Sequence, residues 1–229
     1  MLLSFYNPDV LGDVLIVETA EDVAAQDTTQ KDNVVRIFNT ETNDAIGFNF
    51  FGLGEELGIQ NESGQVFLDD KQVDILNSAI AKAGFSDKLE TDNSPKFVIG
   101  HVAEMKAHPD SDHLHITQTE VGLDKPVQIV CGAPNIEQGQ LVVVALPGAV
   151  MPTGAEIWPG ALRGVDSYGM ICSARELGIP NAPQKRGILV LDQGTAGQAF
   201  DFEAAKNLFD KELLWKIQSI ILLELKVLG

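Results

Sequence analysis

Between His108 and His115 the chain reads His108-Pro109-Asp110-Ser111-Asp112-His113-Leu114-His115, with three imidazoles and two carboxylates in eight residues. Such a density of donors invites a divalent metal. The spacing does not supply one: no His pair stands at i, i+4 on a helix, as a zinc protease would need, and Pro109 among Asp and Ser residues reads as a turn. No metal is expected here, and no cofactor site anywhere. Cys131 and Cys172 lie in the apolar runs Ile129-Val130-Cys131 and Met170-Ile171-Cys172. Burial of that kind predicts inert thiols rather than nucleophiles. Gly160-Ala161-Leu162-Arg163-Gly164 lacks the Gly-Lys-Ser/Thr of a phosphate loop. No constellation of catalytic residues emerges, so the chemistry to look for is binding.

The elements that must position these residues fall into two groups. Residues 1–88 read as a small acidic α+β domain. Short β-prone runs (MLLSFYN, DVLIVETA, VVRIF, AIGFNFFG) alternate with turn residues. Val73–Ala83 has apolar residues at helical spacing and ends before Gly84, a natural C-cap. Residues 86–96 lack periodicity and read as a linker. From Phe97 the character changes. FVIGHVAEMKAH, HITQTEVGL, PVQIVCGA, LVVVALPGA and, after an irregular insertion, GILVLDQ are five strand-like runs, which suits a small closed β-barrel over residues 96–204. The segment 205–229 is apolar and helix-prone, a C-terminal helical tail too short and too charged for a membrane span. Two isolated cysteines and an N-terminus without a basic stretch favour a cytoplasmic protein with reduced thiols.

The formal net charge is −17. Residues 1–95 hold 5 Lys+Arg against 18 Asp+Glu, a net of −13, whereas residues 96–192 hold 7 against 10, a net of −3. Long-range attraction to nucleic acid is therefore excluded for the chain as a whole, while the second half could still present a local cationic face.

Ordered motifs run through that second half. Gly100-His101-Val102 leads into His108-Pro109-Asp110-Ser111-Asp112 and Leu114. Cys131-Gly132-Ala133-Pro134-Asn135 and Ala145-Leu146-Pro147-Gly148-Ala149 follow, then Leu162-Arg163-Gly164-Val165-Asp166-Ser167-Tyr168-Gly169-Met170-Ile171-Cys172-Ser173 with Glu176-Leu177-Gly178. In this order they resemble the tRNA-binding domain of the phenylalanyl-tRNA synthetase β subunit, over about 105 residues. With a small domain ahead of it, the arrangement is similar to that of free-standing bacterial tRNA-binding proteins of the YtpR type.

The resemblance implies an OB-fold after the α+β domain, no catalysis, and tRNA as the partner, read through shape, phosphates and 2′-OH groups. The implied binding residues are Arg163, a planar fork suited to phosphate or a base edge, with Lys106, Asn135, Ser167, Ser173, Arg175, Lys185 and Arg186. Ser167 and Ser173 could instead cap the turn into Arg175-Glu176-Leu177-Gly178, and Asn135 could cap a short helix. Ala161 stands where the family commonly has a Lys, so modest affinity, or binding as a homodimer, is expected. The alternative is a docking or dimerisation module with little affinity for nucleic acid, in which the acidic N-terminal domain recruits a protein partner.

Overall fold

The computed structural model describes residues 1–210. The chain divides into two compact units, Met1–Ser94 and Pro95–Gly229. Most of the proposed tail, residues 211–229, lies outside the described residues.

The first unit is built largely of strands. In chain order these are β1 (Leu3–Tyr6), α1 (Pro8–Leu11), β2 (Val14–Glu18), β3 (Gln26–Lys31), β4 (Val34–Asn39), β5 (Ala45–Phe51), α2 (Gly54–Leu57), β6 (Gly64–Gln65) and α3 (Asp70–Lys82). The strands make one antiparallel sheet, ordered β3-β4-β5-β2-β1-β6. The α+β expectation holds only to the extent of α3, since α1 and α2 are single four-residue turns. Register places Leu15 opposite Phe50, Val17 opposite Phe48, and Val34 opposite Phe50, so these side chains share one face. They form a core with Val73, Leu76 and Ile80 of α3. The helix starts three residues earlier than its apolar spacing suggests, because Asp69 and Gln72 cap it reciprocally. The Asp69 carboxylate accepts from the Gln72 N–H at 2.9 Å, and the Gln72 side chain accepts from the Asp69 N–H at 2.8 Å.

The stretch read as a linker is docked in its first part. Leu89 is buried in the core, and its backbone N–H and C=O both bond the Asn77 side chain, at 2.8 and 3.0 Å. Arg36, itself buried, donates through Nε and Nη2 to the two oxygens of Asp87 (2.8 and 2.9 Å) and through Nη2 to the Asn43 carbonyl (2.7 Å).

The second unit contains β7 (Phe97–Ala107), β8 (His115–Glu120), β9 (Val127–Cys131), β10 (Leu141–Ala145), β11 (Gly160–Leu162), β12 (Val165–Ser167), β13 (Met170–Ile171), β14 (Val190–Leu191) and α4 (Phe202–Ala205). Its main sheet is ordered β13-β10-β7-β8-β9, with β14 also paired to β10 and the β11–β12 hairpin apart. The long β7 serves two neighbours. Phe97–His101 pair with β10 and His101–Ala107 with β8, and a bulge near Val102 bends the strand between them. The barrel expected from the sequence is not closed by a continuous ladder: the hydrogen-bonded path ends at β9 and β13. The GILVLDQ run contributes only the two residues of β14 to the sheet.

β10 is buried on both faces. Val142 and Val144 join the cluster inside the sheet with Val98, Ile129 and Ile171. Val143 and Ala145 join a second cluster with Cys172, Leu177, Ile179 and Leu189, contributed by the irregular segments that follow. A strand covered on both sides has no polar face, which is why Leu-Val-Val-Val-Ala reads as a continuous apolar run.

Removing one partner of the Arg36–Asp87 pair leaves a charge uncompensated in a buried setting. Asp87→Ala should lower the stability of the first unit by about 3 kcal/mol, and the double variant Arg36→Met/Asp87→Leu should recover most of the loss. Urea unfolding of the three proteins checks this.

Candidate nucleic-acid interface

The site is built from two local structures. In the first, β11 and β12 are joined by the two-residue turn Arg163-Gly164. Both residues have positive φ, 47° and 78°, as a type I′ hairpin turn requires. Glycine accepts that conformation freely, whereas an arginine there costs about 1 kcal/mol or more. The surroundings hold it in place. Arg163 Nη1 donates to the Asp110 carbonyl at 2.7 Å. Beneath it His108 is buried, and both ring nitrogens are used: Nδ1 accepts from the Asp110 N–H (3.1 Å), which leaves Nε2–H to donate to the Leu162 carbonyl (3.2 Å). The imidazole thus latches the 108–111 turn to the hairpin.

The rest of the histidine-rich segment is also engaged locally. Ser111 Oγ accepts from the His113 and Leu114 N–H groups. Asp112 meets His113 Nδ1 at 2.8 Å, and that bond holds its exposed carboxyl below the usual carboxylate range. The hairpin base is tied to β9: Ser167 Oγ accepts from the Val130 N–H (3.1 Å), Tyr168 N–H donates to the Gln128 carbonyl (2.8 Å), and Gln128 Nε2 donates to the Asp166 carbonyl (2.8 Å).

In the second local structure, Ser173 and Glu176 form a reciprocal cap. Glu176 Oε2 accepts from the Ser173 N–H and Oγ, both at 2.7 Å, and Ser173 Oγ accepts from the Glu176 N–H at 3.2 Å. This fixes the turn that carries Arg175. Asn135 bonds both backbone groups of Ile188, accepting from its N–H (2.8 Å) and donating to its C=O (3.1 Å). That clamp sets the Lys185-Arg186-Gly187 loop. Gly187 has φ 144°, and a Cβ there would come within 2.8 Å of Asn135 Oδ1, so the close approach demands glycine.

Together these structures frame a recess of about 330 Å³. Its floor and walls include Leu114, Pro134, Leu162, Met170 and Ile188, and Arg175 and Arg186 border it. A second recess of about 310 Å³ shares Ser173, Arg175 and Arg186 with the first and adds Asn135 and Lys185.

The structure therefore gathers Arg175, Lys185 and Arg186 around adjoining recesses, with Arg163 on the hairpin beside Leu162. Lys106 is exposed on β7 and lines neither recess. Two expectations are corrected, and for a third one of two alternatives is chosen. Ser167 is buried, with its hydroxyl shared between Val130 and the Gly169 carbonyl, so it presents nothing outward. Asn135 spends its amide on Ile188 and positions the loop rather than capping a helix. Ser173 caps the 173–176 turn, the second of the roles considered for it. Sequence reasoning missed His108 as a latch, and its place beside Pro109 in the turn was the available signal. It also missed the apolar floor, whose residues come from distant segments and carry no common motif.

Both cysteines are free and buried. Burial raises the Cys131 thiol above its ordinary range and pushes Cys172 up to about 12, so neither is a ready nucleophile.

A mostly β unit with guanidinium and ammonium groups around a concave, partly apolar floor is suited to holding an anionic, partly flat ligand. Residues 97–199 match a family described as "Putative tRNA binding domain", and residues 21–92 match "Domain of unknown function (DUF4479)". Over 201 residues the chain is 45% identical to the protein of Bacillus subtilis (strain 168) named "Putative tRNA-binding protein YtpR", which covers 87% of this chain and 99% of that protein. The chain belongs to the family of that protein. Its second unit is also similar to phenylalanine–tRNA ligase beta subunits, 43% identical over 113 residues in Latilactobacillus sakei and 48% over 111 residues in Porphyromonas gingivalis. In both cases the match spans only 14% of the ligase subunit.

His108→Ala removes both bonds of the latch and orphans the Asp110 N–H and the Leu162 carbonyl. The variant should lose about 2 kcal/mol, and the Asp110 amide should exchange with solvent markedly faster. Urea unfolding and amide exchange by NMR check the two effects.

Proposed function

We propose that this protein is a non-catalytic, cytoplasmic tRNA-binding protein that recognises the shape and phosphates of tRNA through its second unit, an OB-type barrel. The observation that carries this reading is the gathering of Arg175, Lys185 and Arg186 around two adjoining recesses, with Arg163 next to the lining residue Leu162, in a chain of net charge −17. The name of the Bacillus relative supports the same ligand.

The OB reading of the sheet is supported by the bonds from β9 to the end of β12. Val130 to Ser167, the last residue of β12, and Tyr168, which follows it, to Gln128 bridge the ends of the open ladder where an OB barrel would close. Cytoplasmic residence agrees with two free, buried thiols. The strongly acidic first unit repels RNA, so on this reading it is directed to a basic protein partner. A homodimer would double the cationic surface presented to one tRNA.

With about four phosphate contacts, affinity for bulk tRNA should fall with salt at a log–log slope of about −3. Arg163→Ala and Arg186→Ala should each weaken binding several-fold and flatten the slope by somewhat less than one unit. A fluorescence titration from about 50 to 200 mM salt measures both. Failure of the intact protein to bind tRNA at the low-salt end would refute the proposal.

A further inference from the structure

We infer that the recess bordered by Arg175 and Arg186 receives one unpaired nucleotide of the folded RNA, its base against the apolar floor and its phosphate between the two guanidinium groups. This rests on the tRNA-binding reading above and specifies which part of the ligand that site holds.

Shape makes the first argument. A base-paired A-form helix presents phosphates and 2′-hydroxyls on a convex surface, with its base faces covered by stacking. None of its stacked bases can enter a concave recess. At about 330 Å³ the recess lies at the small end of the range, roughly 300–1,000 Å³, that encloses small ligands. It suits a base and its sugar and is too small for a base pair.

Chemistry makes the second argument. Leu114, Leu162, Met170 and Ile188 offer an apolar surface that a phosphate alone would not use. An exposed base has an apolar π-face that would. Arg175 and Arg186 are exposed planar groups able to stack on a base and to pair with its phosphate. Several polar groups that line it have partners: Ser173 bonds Glu176 Oε2, and the Gly132 carbonyl accepts from Arg186. With few free donors or acceptors to read a base edge, the site should accept any base.

Rigidity makes the third. One wall is fixed by the Asn135–Ile188 clamp and the other by the His108–Leu162 latch, so the recess exists before ligand arrives.

Three labelled RNAs test the inference with the full chain: bulk tRNA, a blunt duplex of about 16 base pairs, and the same duplex carrying one extruded nucleotide. Fluorescence anisotropy at low salt should show roughly tenfold tighter binding to the bulged duplex than to the blunt one. Arg186→Ala, a change at an exposed side chain, should abolish that preference, whereas Lys106→Ala should weaken both duplexes alike. Equal affinity for blunt and bulged duplexes, with tRNA still bound, overturns the inference and leaves the RNA-binding reading standing. A preference that survives Arg186→Ala overturns the assignment to this recess. Failure to bind any of the three RNAs removes the reading and the inference together.

Discussion

The second unit depends on the burial of β10 from both sides. Each of Val142, Val143, Val144 and Ala145 is fully buried, and alternate residues feed two separate clusters. A buried valine contributes about 1.5–3 kcal/mol relative to an exposed one, so this short strand joins the sheet interior to the irregular cover by a substantial apolar contact. The consequence reaches the site. The cover is the part of the chain that carries Ser173, Arg175, Lys185 and Arg186. Because its Cys172, Leu177 and Leu189 are packed on Val143 and Ala145, those cations stand on core structure rather than on a free loop. Preplaced charges lose little entropy when a ligand arrives, which matters when they are few.

Charge sets the second constraint. At physiological salt, fields decay over roughly 8 Å. A surplus of acid elsewhere in the chain therefore weakens approach without cancelling a cation at contact distance. Glu176, which lines the recess, and Asp112 keep their charge but are held in local hydrogen bonds, Glu176 with Ser173 and Asp112 with His113. Arg163 sits in an unfavourable backbone conformation and is held by the Asp110 carbonyl and by the His108 latch below. Strain of this kind persists only where the surrounding structure over-determines it. On the proposed reading, these features make an organised anion site set into an otherwise acidic molecule.

Much of the second unit was legible in the sequence because its motifs are local. The turn at Pro109 and the Ser173-to-Glu176 cap each act within a few residues, whereas the β11–β12 hairpin around Arg163-Gly164 lay in what read as an irregular insertion. Strands β7 to β10 were visible from their apolar content. What stayed hidden depends on partners far away in sequence. Ser167 and Asn135 look like free donors until the fold brings Val130 and Ile188 beside them. β3 was missed because all six of its residues are exposed, so no alternation marks it. Leu89 and Asp87 look like linker residues because their partners, Asn77 and Arg36, lie 12 and 51 positions away. The recess floor is the extreme case, assembled from Leu114, Pro134, Leu162 and Ile188 with no shared pattern.

Hydrogen–deuterium exchange of the full chain with and without saturating tRNA tests the central claim most directly, because it reports where the ligand lies. The account predicts protection of the segments 108–114, 160–176 and 183–190, with the exposed β3 edge at 26–31 unchanged. Protection confined to the first unit, with the 160–190 region unaffected, would contradict it.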